Sequence, residues 1–294
     1  MDFGTVLTAM ITPMHADGSI DYSGAQQLAA YLLEHGSDGL VVCGTTGESA
    51  TVHKEEKLKL FSAVREVTKE KKKMLIAGTG SNDTADSVEL SKKAEAMGAD
   101  AVLAVTPPYN KPPQEGLYRH FRAIAEAISL PVTLYNVPGR TALNLEPATV
   151  GRLAADVENI VALKEATGDM EQMTRLRAVT PPDFLIYCGE DSVFLPMLSL
   201  GACGVISVAS HLIGPQLQEM AAAYQKGDTT RALELHDRYF HVFKKLFLCA
   251  NPVPLKYALN RIGLPAGGYR LPLCEMDDTG KAQIDSMLLE IGLL

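Results

Sequence analysis

Short apolar runs recur along the chain with stretches of helix length between them. They occupy residues 6–12, 39–43, 74–78, 101–106, 132–136, 160–164, 184–188 and 204–208. Continuous apolarity over so few residues predicts strands covered on both faces, as in a parallel sheet. The stretches between them carry helical spacing. Residues 23–36 place Leu28, Leu32 and Leu33 on one side and stop at Gly36. Residues 58–67 behave likewise and run into a lysine-rich tail at 69–73, which predicts a solvated helix end facing the negative pole of its dipole rather than a polyanion site.

Strands alternating with helices imply parallel β units, and this number of them predicts a closed (β/α)8 TIM barrel, an α/β fold, over residues 1–225. An open doubly wound sheet is the alternative. It would bring a phosphate-binding loop after the first strand, and Thr12-Pro13-Met14-His15 has no such character. Residues 226–294 predict a small C-terminal helical domain with helices at 229–248, 253–262 and 279–291, punctuated by Pro252, Pro254 and the 265–268 cluster.

Composition narrows the functions open to such a fold. The 294 residues are 47% hydrophobic and 21% charged, so a packed core is expected. The net charge of −8 argues against general nucleic-acid binding. No apolar run approaches the roughly 18 residues that span a bilayer. Met1-Asp2-Phe3-Gly4 lacks the basic and apolar regions of an export signal. The five cysteines form no C-x-x-C pair, and four of them lie among apolar or small residues, where a cysteine packs as a core residue; a reducing cytoplasm is the simplest compartment. The histidines, at 15, 35, 53, 120, 211, 236 and 241, have no metal-ligand spacing, so no metal is expected, and proton relay along hydroxyls would call for no organic cofactor. A G-x-S-x-G elbow is absent, and Gly78-Thr79-Gly80 is only half a dinucleotide fingerprint.

Barrel enzymes work at the C-terminal ends of their strands. The second strand runs into Gly44-Thr45-Thr46-Gly47-Glu48-Ser49, a hydroxyl-rich turn whose backbone N–H groups suit a small carboxylate and which equally reads as a tight βα turn. The fourth ends in Thr106-Pro107-Pro108-Tyr109-Asn110, and the fifth in Tyr135-Asn136-Val137-Pro138-Gly139-Arg140-Thr141. The sixth delivers Lys164-Glu165, the seventh Gly189-Glu190-Asp191, and the eighth Ile206-Ser207-Val208. Lys164 closes an apolar run. Taken alone it is a solvated strand-end lysine; withdrawn from water it would be an amine able to attack a carbonyl carbon. Tyr135 is a core tyrosine or a proton carrier beside such an amine. Arg140, after Pro138-Gly139, is expected on a turn and not in a helix, as a surface cation or as a bidentate partner for a carboxylate.

Gly44-Thr45-Thr46-Gly47-Glu48, Tyr135-Asn136-Val137-Pro138-Gly139-Arg140-Thr141 and Lys164-Glu165-Ala166-Thr167-Gly168-Asp169 together resemble the pyruvate-dependent class I aldolases of the N-acetylneuraminate lyase family. The likeness runs from residues 9–13 to Asn251-Pro252-Val253-Pro254-Leu255-Lys256. It implies that Lys164 forms a Schiff base with pyruvate and that Tyr135, Thr45 and Tyr109 relay protons, Tyr109 reaching a neighbouring subunit's site. It also implies that Thr46 binds the pyruvate carboxylate, with Ile206 and Gly189 at the same pocket. The Arg140 motif points to the branch that condenses pyruvate with aspartate semialdehyde, Arg140 holding the aldehyde's carboxylate. A cytoplasmic homotetramer built from tight dimers is implied as well.

Ser49, Lys54, Lys57, Asn82 and Asp86 correspond to the lysine effector site of the family. Feedback-inhibited members often carry histidines and a tyrosine where this chain has Lys54, Lys57 and Pro108, so the added positive charge predicts weak lysine feedback. Two rival readings share the motifs. One is a sibling aldolase acting on a sugar-derived 2-keto acid, distinguished mainly by Arg140; the other is a barrel that binds pyruvate for regulation without catalysis.

Overall fold

A computed structural model describes residues 3–294 of the chain. The N-terminal export-signal reading rests partly on Met1 and Asp2, which lie outside the described residues. The apolar runs form parallel strands β1 (Val6–Ala9), β2 (Gly39–Val42), β3 (Met74–Gly78), β4 (Ala101–Val105), β5 (Val132–Asn136), β6 (Ile160–Glu165), β7 (Leu185–Cys188) and β8 (Gly204–Ser207). They close in sequence order, β8 returning to β1 through Val6–Val205 and Leu7–Ile206. Between and after them come α1 (Tyr22–Glu34), α2 (Lys54–Glu70), α3 (Thr84–Ala96), α4 (Gln114–Glu126), α5 (Pro138–Thr141), α6 (Pro147–Asp156), α7 (Met170–Val179), α8 (Phe194–Ser199) and α9 (Ser210–Gln225). Three helices follow: α10 (Thr229–Lys245), α11 (Val253–Arg261) and α12 (Asp278–Glu290). The fold is a (β/α)8 barrel with C-terminal helices.

The two-residue period of a strand sorts the apolar residues into two clusters. Leu7, Val41, Leu103, Tyr135, Ala162, Tyr187 and Ile206 pack inside the barrel, whereas Val6, Leu40, Leu134 and Leu163 face the surrounding helices. Several helices start on an aspartate whose carboxylate takes free backbone N–H groups: Asp21 at α1, Asp83 at α3, Asp169 at α7.

Some boundaries differ from the sequence expectation, each for a visible reason. β1 stops at Ala9 and not at residue 12, because the Ile11 N–H leaves the ladder to donate to His211 Nε2 at 3.2 Å. Helix α2 starts at Lys54, as expected for a helix that follows the turn at residues 44–49, and there the Glu56 carboxylate accepts from the His53 N–H at 2.9 Å. Its lysine-rich tail is solvated as expected, with Lys71 paired to Glu34 and Lys73 to Asp38. The cysteines are less uniformly internal than their neighbours in sequence imply. Cys43 and Cys188 are buried and Cys203 half-buried, but Cys249 and Cys274 lie exposed in the connections around α11.

Candidate active site

Tyr135 and Lys164 stand opposite one another on adjacent strands, and Lys164 pairs in turn with Tyr187 on the other side. Ala162 lies in the interior cluster, so Lys164, two residues on, projects to the same face. It is only 5% exposed, and its Nζ lies 4.5 Å from the centre of the Tyr135 ring. The bland alternative of a solvated strand-end lysine is thereby excluded.

The residues after each of these two point the other way and lock the strands. Asn136 Nδ2 donates to Glu165 Oε2 at 3.1 Å and to Asn144 Oδ1 at 2.8 Å, while its Oδ1 accepts from the Leu145 N–H. Glu165 also accepts from the Thr167 N–H and from Gln172 Nε2. A buried carboxylate thus receives three donors and, among the described residues, no paired cation, which fixes the relative height of β5 and β6. Sequence reasoning passed over Asn136 and Glu165 as positioning groups. The available signal was two polar residues one step beyond Tyr135 and Lys164, at positions where the strands are still buried.

Across the barrel mouth lies the hydroxyl-rich turn. Cys43 and Glu48 bracket it with φ of 59° and 54°, a left-handed conformation that costs side-chain-bearing residues about 1–3 kcal/mol each. Three side chains hold it there. Thr12 Oγ1 donates to the Gly47 carbonyl at 2.7 Å, Asn251 Nδ2 donates to Thr46 Oγ1 at 2.9 Å, and Lys256 Nζ bonds Glu48 Oε1 at 2.7 Å. Thr46 is buried; Thr45 is half-buried and faces a cavity of about 660 Å³. Asn251 and Lys256 stand in the sequence only as the ends of the stretch that closes the family likeness, without a role, because nothing local reveals a partner more than two hundred positions away.

Tyr135, Val137, Arg140 and Asn251 line the same cavity. Arg140 lies in the single helical turn α5 and not in a non-helical turn as the Pro138-Gly139 pair implied. Pro138 sets the first residue of that turn, and Ala142, at φ 54°, ends it. Ile206 packs in the interior cluster below. Gly189 passes so close to Lys164 that a Cβ there would lie 3.0 Å from Lys164 Cγ and 2.7 Å from Ala166 Cβ. The carboxylate of the buried Asp191 accepts from the Val208 and Ala209 N–H groups and so fixes the chain just beyond Ile206; burial raises its pKa. Tyr109 does not join these residues. It is 90% exposed at φ 74° and outside the cavity wall.

The candidate effector residues divide. Ser49, Lys57 and Asn82 line the cavity, whereas Lys54 and Asp86 lie outside its wall. Lys54 is engaged by Glu89 and lies 3.8 Å from Asp86, so its charge is largely offset. Burial pushes the Lys57 ammonium down, and it lies near Cys43, whose thiol burial pushes up to about 12.

Together these groups offer a dry amine, a phenol beside it and a carboxylate-sized turn with hydroxyls, a set suited to carbonyl condensation. The family model for the dihydrodipicolinate synthetase family matches residues 2–291. A 4-hydroxy-tetrahydrodipicolinate synthase from Desulforamulus reducens is 58% identical over 275 residues, covering 94% of this chain and 93% of the relative. Among solved structures, DHDPS from Cyanidioschyzon merolae with lysine bound superposes with a TM-score of 0.98 at 47% identity, covering 99% of each chain. A monomeric dihydrodipicolinate synthase variant superposes with a TM-score of 0.96 at 41% identity, over 99% of this chain and 98% of the other.

Proposed function

The chain belongs to the dihydrodipicolinate synthetase family, and on that premise we propose that it condenses pyruvate with L-aspartate 4-semialdehyde through a Schiff base on Lys164. The product is 4-hydroxy-tetrahydrodipicolinate, and the step is the first committed one toward diaminopimelate and lysine. The observation that carries the reading is the enclosed Lys164 amine 4.5 Å from the Tyr135 ring centre.

The neutral amine attacks C2 of pyruvate, and loss of water leaves a protonated imine. Its positive nitrogen draws electrons from the methyl group, so a base removes a C3 proton to give an enamine. The enamine carbon attacks the aldehyde carbon, whose oxygen takes up a proton to become the product hydroxyl. The semialdehyde's own amine then adds to the imine carbon and expels Lys164, closing the ring. Every step moves at least one proton, a task for the hydroxyls of Tyr135 and Thr45 together with Tyr109 of a neighbouring subunit. Thr46 receives the pyruvate carboxylate, with Ile206 and Gly189 shaping the floor beside the imine. Arg140 pairs with the carboxylate of the semialdehyde.

The exposure of Tyr109, off its own subunit's cavity, supports a homotetramer of tight dimers in which it completes the neighbour's site. Sedimentation tests this assembly; a fully active monomer would overturn it. Among the described residues, no helix is long and apolar enough to cross a membrane, which is compatible with a cytoplasmic enzyme. Lysine feedback is weak in this reading, with Lys57 rather than Lys54 opposing a cationic effector. Inhibition by sub-millimolar lysine would remove that proposal.

Borohydride reduction in the presence of pyruvate, followed by peptide mass mapping, tests the chemistry directly. The expected result is a reduced pyruvyl adduct on Lys164 and turnover of aspartate semialdehyde. Absence of the adduct would overturn the Schiff-base mechanism, and an adduct without turnover would overturn the assigned aldehyde substrate.

A further inference from the structure

We infer that Asn251 is a positioning residue for pyruvate: it occupies the acceptor side of the Thr46 hydroxyl, leaving that hydroxyl's proton for the substrate carboxylate. The inference rests on the reading that Thr46 binds this carboxylate.

A threonine hydroxyl has one proton and two lone pairs, so its partners decide where the proton points. Asn251 Nδ2 lies 2.9 Å from Thr46 Oγ1 in a buried contact and is the donor. A hydroxyl that accepts from an amide turns its own O–H toward a different acceptor. Asn251 lines the cavity together with Thr45, the residue next to Thr46 in the turn, while Thr46 itself is buried just behind that wall. Asn251 Oδ1 is buried with no hydrogen-bond partner among the described residues, so the contact with Thr46 is made through Nδ2. With the amide reversed, Oδ1 would take the Thr46 proton and the turn would present a lone pair to an anion.

The placement of Asn251 is itself fixed. It lies two residues before α11, whose Lys256 is bonded to Glu48 at the far end of the same turn. The head of α11 therefore grips the turn at two points, and one of them is the hydroxyl that would contact the substrate. A residue acting in this way affects ground-state affinity for pyruvate and leaves the later chemistry alone.

Asn251→Asp replaces the donor with a group that only accepts, which captures the Thr46 proton and adds a negative charge. Asn251→Ala removes the constraint without adding charge. Half-saturation by pyruvate, read both from turnover and from borohydride trapping on Lys164, is expected to rise about tenfold or more in the Asp variant and less in the Ala variant. The kcat is expected to stay within about twofold and KM for the semialdehyde to be unchanged. In a Thr46→Val background, Asn251→Ala is expected to add no further loss; this cycle decides the matter even if the Asp variant does not fold. Unchanged pyruvate half-saturation in Asn251→Ala, or losses that multiply in the double variant, would overturn the inference. If wild-type protein gives no pyruvyl adduct, the Schiff-base reading fails first and the inference falls with it.

Discussion

Lys256 Nζ lies 2.7 Å from Glu48 Oε1, with 0% and 1% of the two side chains exposed. Burial pushes the Lys256 ammonium down against the pull of Glu48, and the Gly268 carbonyl accepts a second of its protons at 2.5 Å. A buried pair of this kind adds little over a well-packed apolar pair, but losing one partner strands a charge.

Lys256→Met is therefore expected to destabilise the protein by about 3–5 kcal/mol in urea unfolding. Combining it with Glu48→Gln is expected to recover much of that loss, since no ion is then left unpaired. A double variant no more stable than Lys256→Met alone would show that the cost arises from packing and not from charge.

Gly189→Ala places a methyl group 3.0 Å from Lys164 Cγ and 2.7 Å from Ala166 Cβ, with the Glu165 backbone oxygen at 3.1 Å. The neighbours must give way, and the Lys164 stem is the more flexible one. We expect about a tenfold or greater fall in kcat/KM and a stability loss of about 1–3 kcal/mol. Unimpaired imine formation on mixing with pyruvate would contradict this.

Tyr135→Phe keeps the ring against Lys164 and removes only the hydroxyl. The kcat is expected to fall by about 10²–10⁴ while the borohydride adduct still forms, though slowly. Tyr109→Phe is expected to act through the same protons from a neighbouring subunit, so mixed oligomers of Tyr109→Phe and Tyr135→Phe chains should recover part of the activity. If they do not, Tyr109 acts within its own chain or not at all.

His211 accepts from the Ile11 N–H at 3.2 Å through Nε2, with its Nδ1 2.8 Å from the Val208 carbonyl, an arrangement that needs the neutral ring. Burial pushes its pKa down to about 4 from 6.5. The unfolded chain therefore binds the extra proton first as pH falls. The contribution is complete above pH of about 6.5 and is lost progressively toward about 4, reaching roughly 3 kcal/mol. Substituting His211→Gln should flatten the stability profile in that window. Parallel profiles for the two proteins would rule out His211 as the titrating group.

The barrel could be read from the sequence because its strands are buried on both faces, which writes each one as an uninterrupted apolar run. Lys164 was readable for the same reason: a charge that ends such a run must lie at the mouth. Other features left no local trace. The turn α5 is a single helical turn entered through Pro138-Gly139, where short-range signals favour a non-helical turn. Lys256 sits among residues whose alternation suits a surface helix, and its burial depends on Glu48, 208 positions earlier. Tyr109 lies four residues beyond β4, in a loop where its side chain is exposed and off the cavity wall. Local pattern reports what a residue's neighbours require, and these positions answer to distant partners.

The contacts of Asn251 and Lys256 with the turn after β2 span 205 and 208 residues. Because ribosomes build the chain from its N-terminus, every barrel strand leaves the exit tunnel before either anchor has been made. A stalled or truncated product ending between residues 208 and 250 would carry all the strands, Lys164 and Tyr135 while lacking both fastenings of the turn. Such a product would hold the reactive amine without the Asn251 contact proposed to orient Thr46.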